Sequence, residues 1–147
     1  MLNIKLNGID VNGNEKEFSL NDFANQKIIL YFYPKDNTSG CTQEACDFRD
    51  NINRLTSVAT VIGVSPDSVK SHKNFKEKQS LNFILLSDTE HTLSQAFNVW
   101  KEKSMYGRKY MGIERSTFII NNGQIIKEWR KVKVKGHVDE VLKELNT

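Results

Sequence analysis

Cys41 and Cys46 are the only cysteines in the 147-residue chain, and they lie behind an approach that contains Pro34, Thr38 and Gly40. The thiolate is the reactive form of cysteine, and thiol pKa values fall at helix N-termini or beside a cation. Ala45, Phe48, Ile52 and Leu55 follow Cys41 at spacings of three and four. Cys41 therefore opens an amphipathic helix whose unpaired first-turn N–H groups favour negative charge on the sulfur. Gly40 lets the backbone come close to whatever the sulfur attacks, and Pro34 supplies a stiff apolar wall without an N–H. Thr38 offers a hydroxyl that can donate to a bound oxygen and accept from a second group. The layout suits attack on a small oxygen-containing electrophile. A core cysteine beside a capping threonine is the plainer alternative, but a polar, glycine-containing approach is a poor core environment.

Cys46 lies about 100° round the same helix from the apolar face, near Arg49, Asp50 and Asn53. It reads either as a second reacting thiol or as a small exposed hydrophobe. Five residues along an ideal helix set two Cα atoms about 8.5 Å apart and about 140° round the axis, beyond the ~7 Å reach of a disulfide. If the two thiols act together, the first turns must unwind. Thioredoxin-type dithiol chemistry uses a Cys-x-x-Cys pair, which this chain lacks. His72, His91 and His137 are far apart and near polar helix starts, so they are expected to be solvated rather than metal ligands.

The elements that must position these groups follow from periodicity. Residues 27–33 and 58–65 are apolar runs suited to buried central strands, with the cysteine helix between them as a βαβ unit. A second helix is expected from the cap Ser65 and Pro66 to about Gln79, a short strand at 83–86 and a third helix at 88–97. Residues 115–120 and 124–129 flank Asn121-Asn122-Gly123 as a hairpin, and a last helix spans roughly 137–145. Lys131, Lys133 and Lys135 alternate with Val132 and Val134 as in a strand with one wet face. These elements predict an α/β fold of three layers with a central mixed β-sheet flanked by helices.

The length suits one domain over residues 1–147, and neither a repeat nor a proline-rich linker divides it. The start lacks a signal-peptide core, and no apolar run approaches the roughly 20 residues of a membrane span, so a cytoplasmic protein is expected. In a reducing compartment two close cysteines are more often catalytic, redox-sensing or metal-binding than a permanent bridge. A net charge of +3 is too weak to indicate nucleic acid.

Pro34, Thr38 and Cys41 also match, without a gap, the signature proline, three residues, threonine, two residues, cysteine. On that motif the chain resembles the peroxiredoxins, and most closely the bacterioferritin comigratory protein group, or peroxiredoxin Q. The resemblance is nearly full length. It extends to Arg115 in Glu114-Arg115-Ser116-Thr117-Phe118, to residues 83–88, 100–107 and 111–113, and to the second cysteine at Cys46. It implies a thioredoxin-like fold and a thiol peroxidase without metal or organic cofactor, often monomeric, with thioredoxin as reductant. Cys41 would attack the peroxide and Cys46 would resolve the sulfenic acid as a disulfide. Arg115 and Thr38 would hold the peroxide oxygens, and Glu44 would orient Arg115 or serve as an ordinary first-turn acid. An arginine paired only across the hairpin is the structural alternative for Arg115. Two departures stand out: no Ala-Pro-x-Phe stretch precedes Phe18-Ser19-Leu20, which points to a shorter or differently packed first strand, and Ser39 stands where many relatives carry proline.

Overall fold

The computed structural model describes residues 2–146. The strands are β1 (Leu6–Ile9), β2 (Glu15–Phe18), β3 (Lys27–Phe32), β4 (Thr60–Ser65), β5 (Ile84–Ser87), β6 (Trp100–Met105), β7 (Arg108–Ile113), β8 (Ser116–Asn121) and β9 (Gln124–Trp129). The helices are α1 (Ser39–Asp50), α2 (Ile52–Thr56), α3 (Val69–Gln79), α4 (Thr92–Ala96) and α5 (His137–Leu145), with a short 3-10 turn at Leu20–Phe23. Seven strands form one sheet in the order β2-β1-β5-β4-β3-β8-β9, while β6 and β7 form a separate hairpin. β3, β4 and β5 run parallel, and β1 and β8 join this centre antiparallel, making the sheet mixed.

Strand alternation divides the core in two. Ile29, Tyr31 and Tyr33 face α1, α3 and α5, whereas Ile28, Leu30 and Phe32 face Leu93, Phe97, Val99 and Ile113 on the other side. The three layers expected from sequence are therefore present. Gly63 on β4 makes room for the Tyr31 ring, since a Cβ there would lie 2.9 Å from two of its carbons. Tyr31 in turn stacks on Phe48 of α1 at 4.5 Å between ring centroids, and this contact seats the cysteine helix on the sheet.

Several boundaries differ from expectation. The single helix read through Leu55 breaks at Asn51, whose backbone leaves helical geometry and whose Nδ2 donates to Asp47 O at 2.8 Å. The second helix starts at Val69, because Ser65 Oγ is engaged with Asp67 Oδ2 at 2.7 Å and the cap is Ser68, which accepts from Ser71 N at 3.1 Å. α4 begins four residues late because Asp88 accepts from Leu93 N, Ser94 N and Ser94 Oγ while His91 turns left-handed. Lys131, Lys133 and Lys135 are exposed as expected, but their segment is a loop. A left-handed Lys131 interrupts extended backbone there, and Val132 N donates to Arg115 O at 2.9 Å. The 121–123 turn forms as expected, with Asn122 and Gly123 both at positive φ. Before residue 20, where a shorter or differently packed first strand was expected, the chain forms two short strands of four residues each, β1 and β2, paired antiparallel.

Candidate active site

Cys41 sits in the first turn of α1, just beyond the carboxyl end of β3, and is 1 % exposed. Arg115, placed immediately before β8, donates from Nη2 to Cys41 Sγ at 3.3 Å and from Nη1 to Glu44 Oε1 at 2.6 Å. One guanidinium thus joins the sulfur to a carboxylate one turn along α1. Gly40 permits this approach, because a Cβ at that position would stand 3.3 Å from Arg115 Nη2. Val132 fixes the backbone of Arg115 from the other side.

The electrostatics of this trio are dominated by burial. Glu44 is fully buried, and loss of hydration pushes its carboxyl up to about 7 against the pull of Arg115. Burial opposes the Arg115 cation, but Glu44 and Cys41 outweigh it and hold its pKa above the ordinary value. Glu44 Oε2 has no hydrogen-bond partner among the described residues, and neither does the nearby buried Tyr31 hydroxyl. Burial first, then the charges of Glu44 and Cys41, drive the Tyr31 pKa well above its usual range, so Tyr31 is neutral. Arg115 also borders a cleft of about 890 Å³ lined by Lys101, Lys103, Arg130 and Lys131, with Glu102, Glu114 and Glu128 interspersed. Burial, then the Arg115 charge, lowers the pKa of Lys103.

Pro34 is half-buried and Thr38 exposed. The Thr38 side chain makes no cap bond to α1 but donates to Lys35 O at 2.9 Å. Its one hydrogen being engaged, it can accept from a bound O–H as it stands, and can donate only by releasing Lys35. Cys46 is half-buried rather than exposed, with Sγ donating to Gln79 Oε1 at 3.7 Å. Both cysteines are free thiols on one continuous helix.

The largest omission in the sequence reading is the anchor of the approach loop. Asp36, buried, accepts from Tyr33 Oη at 2.6 Å and Ser71 Oγ at 2.8 Å, and lies 2.8 Å from His72 Nδ1. Its backbone N–H donates to Asp67 Oδ2 at 2.7 Å. His72 Nε2 donates to Leu86 O at 2.9 Å, so this histidine is wholly buried and not solvated. His137 is likewise buried, 2.7 Å from Thr117 Oγ1 and edge-on to Phe48, while His91 is half-buried and stacks on Trp100 at 3.7 Å. A signal for His72 and His137 was available: they share helical faces with Phe75 and Val141. Among the described residues no group of three or more His, Cys, Asp or Glu side chains is arranged to hold a metal ion, and no helix is long and apolar enough to cross a membrane.

This fold is shared with known proteins. The chain belongs to the AhpC/TSA family, whose profile matches residues 1–129. Its similarities lie with the bacterioferritin comigratory protein group of peroxiredoxins, which are peroxidases. It is 59 % identical to peroxiredoxin Bcp of Bacillus subtilis (strain 168) over 128 residues, 86 % of this chain and 82 % of that one. The bacterioferritin comigratory protein of Xanthomonas campestris, described for alkyl peroxide reduction from a trapped intermediate/ligand complex, superposes with a TM-score of 0.92 at 44 % identity, covering 99 % of this chain and 91 % of its own. A PrxQ mutant of Xylella fastidiosa superposes with a TM-score of 0.90 at 46 % identity, over 99 % and 89 % of the two chains. The thioredoxin-like, mixed-sheet fold expected from sequence is thereby confirmed.

Glu44 and His137 make opposite contributions to the pH dependence of folding. Glu44 lies above its ordinary 4.5, so between there and about 7 the folded state binds the extra proton and acidification stabilises it. Burial, aided by Arg115, lowers His137 to about 4 from 6.5, so across that window the unfolded state binds the extra proton and acidification destabilises the fold. In His137→Gln the second effect is removed. The stability advantage of the native protein over this variant is expected to shrink by on the order of 2 kcal/mol from about pH 7 to pH 4.5 in denaturant titrations. A constant difference across that range would show that His137 gains no proton on unfolding.

Proposed function

We propose that the chain is a thioredoxin-dependent peroxidase for hydrogen peroxide and organic hydroperoxides, with Cys41 as nucleophile and Cys46 as resolving thiol. The observation that carries this reading is the 3.3 Å donation from Arg115 to the Cys41 sulfur at the start of α1. The cation and the first-turn N–H groups stabilise negative charge on sulfur. The thiolate attacks one peroxide oxygen, the S–O bond forms as O–O breaks, and the leaving oxygen takes a proton to become water or an alcohol. Charge passes from sulfur to that oxygen, so donors fixed beside both contribute most in the transition state. Arg115 is the principal donor in this scheme. Thr38 accepts the peroxide O–H while keeping its bond to Lys35, Gly40 leaves room for guanidinium and substrate, and Pro34 shields the sulfur from water. Glu44 holds the guanidinium flat against Cys41.

In the second step the Cys46 thiolate attacks the Cys41 sulfur, the S–S bond forms, and hydroxide leaves and is protonated to water. Both cysteines belong to α1, so its first turns open for this step. Thioredoxin then reduces the disulfide by exchange. A monomer in the cytoplasm, built as one domain and needing no metal or organic cofactor, fits this cycle. Support comes from the site geometry together with the peroxiredoxin relatives.

Cys41→Ser is expected to abolish peroxide consumption, and Cys46→Ser to keep a single rapid oxidation while losing thioredoxin-supported turnover. Turnover at the native rate in the second variant would remove Cys46 from the cycle. Arg115→Lys preserves charge but loses the planar fork that touches both Cys41 and Glu44. A fall of about 10²–10³ in the second-order rate with peroxide is expected by stopped-flow. An unchanged rate would leave Arg115 a structural ion-pair partner only.

A further inference from the structure

The outer face of α1 is fastened to the end of α3. Gln79 is the last residue of α3, and Ser80 turns left-handed with φ 53, leaving terminal carbonyls in need of outside partners. Gln79 O accepts from Arg49 Nη1 at 2.6 Å, a cation where the helix dipole favours one. The side chain of the same residue, through Oε1, accepts from Cys46 Sγ at 3.7 Å. Asn82 Nδ2, just beyond, donates to Arg49 O at 3.5 Å. Cys46 and Arg49 are three residues apart and so share one face of α1. Both side-chain donors on that face, Cys46 and Arg49, therefore end on Gln79, and unwinding the turns around Cys46 breaks the first bond and loosens the second, one turn along.

We propose that Arg49 and Gln79 form a latch that positions Cys46 and sets the rate of its attack on oxidised Cys41. The proposal rests on Cys46 being the resolving thiol. While the latch is closed, Cys46 is held in helical geometry out of reach of Cys41. The sulfenic acid must then wait, and a second peroxide can oxidise it to the sulfinic acid, transferring one oxygen to sulfur and leaving as water or alcohol. Latch strength thus divides the sulfenic acid between productive disulfide and overoxidation.

Arg49→Gln removes the charge-assisted bond without touching the peroxide site. Rapid-quench mass spectrometry is expected to show Cys41–Cys46 disulfide formation accelerated roughly three- to thirtyfold, the bond being partly exposed. The peroxide concentration producing half-maximal Cys41 sulfinic acid should rise by the same factor, with the first oxidation unchanged. Arg49→Lys, whose ammonium can still donate to Gln79 O, should stay near the native rate, a rescue that general loosening would not give. An unchanged or slower disulfide rate in Arg49→Gln overturns the latch. A native protein whose mass shows no Cys41–Cys46 disulfide, and which overoxidises just as Cys46→Ser does, would instead overturn the reading of Cys46.

Discussion

Two cysteines share one helix, and an intact helix keeps them apart. Cys41 needs α1 folded, because the first turn supplies the N–H groups at its sulfur and aims that sulfur at Arg115. A bond to Cys46 needs the same turns open, because helical geometry puts the two Cα atoms beyond disulfide reach. In the proposed cycle α1 therefore has two working states, and the surrounding structure determines how they are balanced. Upstream, the Asp36 network ties the approach loop to α3 and to β4–β5, so motion can begin only after Asp36. Downstream, Phe48 lies stacked under Tyr31. Drawing that ring into water costs about 2–3 kcal/mol, enough to favour opening that stops before it.

Between those anchors the helix is less securely held than its burial implies. Glu44 is fully buried with one carboxylate oxygen unpartnered among the described residues, and its raised pKa records the cost of its lost hydration. Opening the first turns returns that oxygen to water and offsets part of the exposure of Cys41 and Ala45. The ion pair with Arg115 is thus better understood as orientation than as stabilisation, since buried pairs seldom repay their desolvation in full. It directs a residue 74 positions away in sequence onto the sulfur.

Local chemistry was legible in the sequence; the long-range partners were not. The opening of a helix at Cys41, the apolar run of β3 and the Asn121-Asn122-Gly123 turn each carry their own short-range physical signal, and all three took the form expected. Arg115 was reached only through resemblance, because nothing near it in sequence marks it as facing Cys41. Asp36 was missed for a related reason, since a polar residue in a loop reads as solvated unless its partners are known, whereas His72 was missed although it shares a helical face with Phe75. The latch between Arg49 and Gln79 has the same character, with a backbone carbonyl as acceptor. Helix boundaries failed where side chains took over capping, as Ser65 with Asp67 and Asp88 with Ser94.

Amide hydrogen exchange on the reduced and the oxidised protein tests most directly whether the helix and the disulfide exclude each other. Oxidation is predicted to strip protection from about residue 38 to residue 48, while β3, β4 and α3 keep theirs. Equal protection of residues 41–48 in both states, with the Cys41–Cys46 disulfide confirmed by mass, would contradict the account.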